Sequence, residues 1–303
     1  MNRREFLKQF SMYSAGSIMV APVFNIIPPV LAKITQPQLI VGVDKNYIDL
    51  VKKTLQPLGG MSAFVKKGDR VVVKPNIGWD RKPEQAANTH PLVVKSIVKL
   101  ALDAGASKVQ VFDRTCNSSR MCYSNSGIKD AVESINDKRA LCEHIDDRKF
   151  IPVTIKKGKS LKEWPFYKDA LAADCYINVP VAKHHRLAEL TLGLKNVMGV
   201  IGGERGRIHT NIGQYLADMC TVLKPDLTVI DATRILLQNG PQGGNINDVK
   251  TLHTLIATTD PVAADAYATT LFGKKPEDIE STKAAYQMGL GEMNLKKMNI
   301  SRV

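Results

Sequence analysis

Four β-branched, apolar runs in this sequence each give way to a short polar cluster, and these clusters hold most of its chemically capable side chains. Val71-Val72-Val73 leads into Lys74-Pro75-Asn76, and the run ending at Phe112 leads into Asp113-Arg114-Thr115-Cys116. A third run passes through Asn178-Val179-Pro180-Val181-Ala182 to Lys183-His184-His185, and a fourth ends at Asp231-Ala232-Thr233. Lysines in such places hold anionic groups, and a histidine beside them carries protons or ligates a metal. The candidate catalytic set is therefore Lys74, Asn76, Asp113, Lys183, His184 and Lys195.

Lys195 and Asn196 stand between the apolar stretches Leu192-Gly193-Leu194 and Val197-Met198-Gly199. Burying an ammonium and an amide there is costly without partners. They either face a site or cap the end of their own helix. Cys116 and Cys122 share one loop with Arg114 and Arg120, and basic neighbours favour a thiolate that ligates metal or attacks an electrophile. With His184 they make the candidate metal set; a local disulfide is the plain alternative. Asn239-Gly240-Pro241-Gln242-Gly243-Gly244 is a glycine-rich loop whose N–H groups can approach an anion, although it matches no nucleotide-binding fingerprint. Lys195, Asn196, His209, Asn239 and Gly240 are the residues expected to hold a cofactor, either a metal ion or a bound redox group.

Alternating strands and helices must position these groups. Gln38 to Val43 and Asp69 to Lys74 read as strands, and Thr89-His90-Pro91 opens a helix with Thr89 as its cap and Gly105 as its end. Further strands are expected at Lys108–Asp113, Ile151–Ile155, Asp174–Val179, Asp226–Asp231 and Leu252–Ala257. Helices are expected at Ser126–Ile135, across Leu187–Val200, from His209 to Leu223, from Asp260-Pro261 to Leu271 and from Pro276 to Gly289. This order implies one α/β domain, a mostly parallel or mixed sheet with helices on both faces. In such sheets ligands bind beyond the carboxyl ends of the strands, where the polar clusters fall.

The first residues, Asn2-Arg3-Arg4-Glu5-Phe6-Leu7-Lys8, precede a modestly apolar stretch from Phe10 to Ile27 and the tripeptide Val30-Leu31-Ala32. A twin-arginine signal over residues 1–32 is expected, with residues 33–303 as the exported domain and the Tat translocase as its partner in export. The stretch is too polar for a span of ~20 apolar residues, and no later segment approaches one. The chain is basic, with a formal charge of +13; the signal carries three cations and one carboxylate, so +11 remains. That field favours a small anionic ligand. Nucleic acid is excluded as a partner by the expected periplasmic or extracytoplasmic location and by the absence of basic runs interleaved with aromatics. Five cysteines without a CxxC pair exclude a ferredoxin-type cluster.

Val73-Lys74-Pro75-Asn76, Thr89-His90-Pro91, Gly105-Ala106, Asp113, Ser126-Gly127, the Ala173-to-His184 block, Leu194-Lys195-Asn196, His209, Pro225-Asp226-Leu227, Asp231, Asn239-Gly240-Pro241, Asp260-Pro261 and Asp265 follow one another as in the domain of unknown function 362 family, which this chain resembles over nearly all of residues 33–303. More distantly it is similar to the nickel-pincer lactate racemases. There an Ala-Asp strand leads to a histidine turn and then to a cofactor-holding lysine, at positions comparable to His184 and Lys195, although the glycine-serine-glycine loop before that lysine has no counterpart here. The expectation is an exported enzyme, oxidoreductase or isomerase, using a metal or redox cofactor on a small anionic substrate. A non-catalytic binder of an anionic ligand, or an accessory to a membrane redox complex, is the alternative. Replacing Arg3 and Arg4 together by lysine should leave the protein in the cytoplasm at its full precursor mass. Normal export of that variant, read by fractionation and mass spectrometry, would refute the signal assignment.

Overall fold

The computed structural model describes residues 38–303, so the expected signal over residues 1–32 lies outside the described residues. The strands are β1 (Gln38–Val43), β2 (Arg70–Pro75), β3 (Lys108–Val111), β4 (Ala140–Cys142), β5 (Phe150–Thr154), β6 (Glu163–Tyr167), β7 (Cys175–Val179), β8 (Val181–His185), β9 (Glu189–Thr191), β10 (Leu227–Leu236), β11 (Val249–Thr258) and β12 (Asn299–Arg302). The helices are α1 (Tyr47–Leu55), α2 (Pro91–Asp103), α3 (Ser119–Asn125), α4 (Ile128–Glu133), α5 (Lys168–Leu171), α6 (Ile212–Cys220), α7 (Pro261–Thr270) and α8 (Glu280–Gln287).

The main sheet runs β12-β1-β11-β10-β7-β2-β3-β4, with β8 added along β10 and β9 along β8. Along that path β11 is antiparallel to both neighbours, and the other ladders are parallel. It is the expected mixed, mostly parallel sheet. Strand side chains alternate between its faces. Val71 and Val73 pack with Leu50 of α1, Val94 and Ile97 of α2 and Val132 of α4 on one face. Val72 and Tyr176 pack with Ile212, Leu216 and Met219 of α6 on the other. Ile230 and Ile256 meet Ala263 and Ala264 of α7 on that second side of the sheet's far half. Helices therefore cover both faces, and strands buried twice over explain the unbroken Val-Val-Val run.

Several elements depart from the sequence reading, each for a local reason. The cap of α2 is His90, whose Nδ1 accepts the Leu92 N–H at 3.2 Å; Thr89 instead accepts the Asn76 N–H and donates to the Val179 carbonyl. The helix expected over Ser126–Ile135 is the shorter α4, entered from Gly127 at φ +70°, and the stretch before it, expected as a loop around Cys122, carries the additional short helix α3. The strand near Ile151 pairs with β6 in a separate hairpin. No helix spans Leu187–Val200: β9 pairs with β8, and a 3-10 turn follows over Lys195–Val200. Leu190 and Leu192 are both buried, a two-residue period that suits a strand. Asp265 of α7 then accepts the N–H groups of Gly193 and Leu194 at 2.7 and 2.9 Å, which starts the turn.

Helix α7 begins as expected. Asp260 Oδ1 accepts the Val262 and Ala263 N–H groups at 2.9 Å each, and its Oδ2 accepts the Glu292 N–H at 2.8 Å. Asp260→Ala should lower stability by about 0.5–2 kcal/mol, the range for a lost N-cap. Urea denaturation measures it, and an unchanged midpoint would show that the cap contributes nothing here.

Candidate functional site

Lys74 is fully buried near the carboxyl end of β2. Its Nζ lies 2.8 Å from Asp113 Oδ1 and donates to the Pro75 carbonyl at 2.7 Å and to Asn196 Oδ1 at 2.8 Å. One carboxylate and two neutral oxygens thus surround the ammonium. Burial pulls its pKa down and Asp113 opposes that pull. Asp113 Oδ2 accepts the Ile77 N–H at 2.6 Å, and the Asp113 backbone is clasped by the Tyr123 hydroxyl. The amide of Asn196 completes the knot, donating to the Lys74 carbonyl at 3.1 Å and to Asn178 Oδ1 at 2.8 Å. Lys74 and Asn178 are register partners on adjacent parallel strands, so one amide clamps both strand ends. Only glycine fits at Gly199, where a Cβ would stand 1.6 Å from Asp113 Oδ1 and 2.5 Å from Lys74 Nζ.

Pro180 separates β7 from β8, and both strands lie along the long β10. The β8 segment consequently carries Lys183 and His185 beyond the point where β7 ends. Alternation sends those two to one face and His184 to the other. Lys183 is buried, donates to the Ala87 carbonyl and reaches Asn76 Oδ1 at 3.2 Å. Burial lowers its pKa to about 7; Lys195 and Lys74 push the same way, and Cys116 and Asp113 push back. His185 Nδ1 accepts the N–H groups of Leu187 and Ala188 at 3.1 and 3.2 Å, which places the ring proton on Nε2. Burial, then Lys195 and His209, drives its pKa to about 2, so it is a neutral hydrogen-bond donor. The candidate His184 is corrected by this geometry: its Nδ1 accepts the Gly240 N–H at 3.0 Å, and it does not line the cleft.

Lys195 is more than nine-tenths buried. Among the described residues its Nζ has one hydrogen-bond acceptor, Met198 Sδ at 3.3 Å, a weak one. Neither Asp113 nor Asp231 pairs with it: Asp113 is taken by Lys74, while Asp231 accepts the His90 N–H at 2.7 Å and the Thr233 N–H and hydroxyl. Burial brings its pKa to about 8; Arg205 and Lys74 lower it further and Cys116 raises it. Arg205 holds the wall beside it, donating to the carbonyls of Arg114, Met198 and Thr115. His209 stacks on His185 at 5.6 Å between centroids. Its Nδ1 meets the Gly206 carbonyl at 3.2 Å, so its Nε2 is an acceptor, buried and without a hydrogen-bond partner.

These groups line one open cleft of about 750 Å³ at the carboxyl ends of the strands. Of the candidates, Lys74, Asn76, Asp113, Lys183, Lys195, Asn196, His209, Asn239, Gly240 and Cys116 border it; His184 and Cys122 do not. Asn239 is anchored by its amide on Asp248 at 2.7 Å, and a Cβ on Gly240 would strike the His184 carbonyl, so this loop closes a wall. Cys122 is buried with its thiol pushed up to about 11 by desolvation, and both Cys116 and Cys122 are free thiols. Among the described residues no three His, Cys, Asp or Glu side chains converge as a metal-ligand set, so Cys116, Cys122 and His184 do not assemble one. Sequence reasoning missed His185, Arg186 and Arg205. Counting by twos from Lys183 would have found His185; nothing in the sequence marks the arginines.

Six cations border the cleft against one carboxylate, Asp113. Within 4.0 Å only Lys74 and Arg114 reach an acid, leaving Lys183, Arg186, Lys195 and Arg205 without one among the described residues. Fold and site together define an α/β protein with a cationic cleft at the carboxyl edge of a mixed sheet. The chain belongs to the family described as "Domain of unknown function (DUF362)", whose profile matches residues 71–270. It is 28% identical over 255 residues to a thylakoid-associated protein of Synechocystis, covering 79% of this chain and 74% of that one. Two solved structures are similar at a distance. They are the lactate racemase apoprotein of Thermoanaerobacterium thermosaccharolyticum, at 13% identity and TM-score 0.44, and a Thermotoga maritima protein, at 11% and 0.40. The alignments cover 78% and 79% of this chain but only 57% and 59% of those chains.

The two kinds of buried lysine should respond oppositely to substitution. Asp113→Asn strands the Lys74 ammonium and should cost roughly 3–5 kcal/mol. Lys195→Met removes a charge that no carboxylate answers and keeps the side-chain volume, so it should change stability by less than about 1.5 kcal/mol. Chemical denaturation of both variants checks the contrast, and equal losses would overturn it.

Proposed function

We propose that this protein is an exported enzyme that binds a small carboxylate- or phosphate-bearing substrate in the cationic cleft and performs acid–base chemistry on it. The observation that carries the reading is the set of four cleft cations, Lys183, Arg186, Lys195 and Arg205, that have no carboxylate partner among the described residues. Lys183 and Lys195 are buried, Arg205 is half-buried and Arg186 is exposed at the mouth; burying the two ammonium groups without an anion is unfavourable, and a bound anionic group supplies what the protein withholds. Amines near pKa 7 and 8 are shared between charged and neutral forms at neutral pH, which suits proton transfer. His185 contributes its Nε2–H as a fixed donor to a developing oxyanion, and His209 an unprotonated Nε2.

The cleft offers an organic cofactor the same cations for its anionic groups, whereas a metal would need ligands from such a cofactor or from substrate. Export through the twin-arginine pathway, which carries folded cargo, accords with a protein loaded before it leaves the cytoplasm.

Binding should be linked to pH in a definite direction. The anion favours the ammonium forms of Lys183 and Lys195, so affinity is greatest below about pH 7, where both are charged. It should fall as pH rises through about 7 and then about 8, by at most about tenfold per pH unit for each lysine discharged. Oxalate, used as a probe at a hundred times its Kd, should stabilise the protein by about 2.7 kcal/mol. Calorimetry across this pH range reads the trend. A flat profile, or no stabilisation by oxalate or inorganic phosphate, would refute the reading.

A further inference from the structure

Lys183 and Lys195 share the cleft but differ in what their amines can do. Two protons of Lys183 are directed at the Ala87 carbonyl and Asn76 Oδ1, which leaves one for the cleft. Lys195 has a thioether as its one hydrogen-bond acceptor among the described residues, and it sits on a turn held at Gly193 and Leu194 by Asp265. Its stem is fixed, its nitrogen is uncommitted, and the charges of Arg205 and Lys74 are within electrostatic reach. A desolvated lysine beside other cations is the arrangement that exposes an amine lone pair to a carbonyl carbon.

We propose that Lys195 is a covalent catalytic residue that condenses with the ketone of a small 2-oxo acid to form an imine. This rests on the anion-binding reading of the cleft and adds the class of substrate. Lys195 Nζ forms the C–N bond while the carbonyl π pair moves to oxygen, facing the Nε2–H of His185. The oxygen takes a proton from the Lys183 ammonium and a second from Nζ, passed through the Nε2 of His209, and leaves as one water. The second Nζ proton stays on the iminium nitrogen. No electrons are lost or gained, and the only co-reactant is the proton given by the Lys183 ammonium. Arg186 and Arg205 supply charge for the carboxylate, and the iminium becomes an electron sink for breaking a bond at the adjacent carbon.

The burial of Lys195 and its lowered pKa, about 8, agree with this role, since an exposed lysine is almost wholly charged at neutral pH. Lys183, whose pKa is brought to about 7, is poised to give and regain a proton in the same range.

The test incubates the full protein with pyruvate and sodium cyanoborohydride at pH 7.5, followed by peptide mass mapping. Oxalate, which has no ketone, reports anion binding in parallel through the thermal midpoint. The expected result is a carboxyethyl group on Lys195 alone, blocked by excess oxalate and absent from Lys195→Met while Lys183→Met slows its appearance at least tenfold. Labelling of Lys183 in place of Lys195, or labelling spread over exposed lysines and insensitive to oxalate, overturns the proposal. If oxalate stabilises the protein and pyruvate leaves no label, the imine is refuted and the anion site stands. If neither oxalate nor pyruvate has any effect, both readings fall. Should Lys195→Met fail to fold, the mapped position of the label on the unmodified sequence still decides.

Discussion

The buried ion pair between Lys74 and Asp113 is the contact on which the site's geometry depends. It joins the ends of two neighbouring parallel strands, and its unused hydrogen-bonding capacity is taken up by groups that form the cleft floor: Asn196, the Pro75 carbonyl and the Ile77 N–H. A pair so deeply desolvated is poor evidence of net stabilisation, because removing two ions from water offsets most of their attraction. Its effect is one of position. Each ion is tolerated only where the other stands, and Gly199 must lack a side chain for both to fit. The turn that carries Gly199 also carries Lys195, so the constraint that seats Lys74 also places the amine that has no such partner.

Three lysines in one cleft therefore divide by their neighbours, although the sequence presents them alike. Lys74 has a carboxylate and two further oxygen acceptors; Lys183 has two neutral oxygens; Lys195 has a sulfur. Burial acts on all three in the same direction, and what differs is how much local negative charge opposes it. The fold could have answered Lys195 with an acid, since Asp231 lies midway along β10, level with the start of β8. It turns that carboxylate instead to the N-terminus of α2, where it accepts the His90 N–H, and thereby keeps negative charge out of the cleft.

Much of this was legible in the sequence because apolar runs that end in polar clusters are a direct consequence of strands buried on both faces. The fold class, the ends of β2, β3 and β7, and the gathering of Lys74, Asn76, Asp113, Lys183, Lys195 and Asn196 all follow from that pattern, whereas β10, expected to end at Asp231, runs on to Leu236. What was lost depended on interactions distant in sequence. Helical spacing over Leu187–Val200 is outweighed by the pairing of β9 with β8 and by the grip of Asp265 on two N–H groups some seventy residues away in the chain. The choice of His184 over His185 failed for a different reason. A chain that is read as leaving its strand at Val179 has no alternation to count, and only the resumption of extended structure after Pro180 makes every second residue face the cleft.

That resumption also explains why the site lies where it does. A strand that ended at Val179 would leave the carboxyl edge of the sheet open to solvent, and lysines there would remain hydrated and fully charged. By continuing along β10 as β8 and folding back as β9, the chain raises a wall above the sheet edge that desolvates Lys183 and His185. The 3-10 turn over Lys195–Val200 and the Gly240-Pro241 loop close further sides. Desolvation of cations is unfavourable for folding, and proteins retain such features where function requires them. The unfavourable part is confined to a rim built on a sheet whose apolar faces are covered on both sides, and removing the charge at Lys195 is therefore expected to leave the fold intact while altering what the cleft can hold.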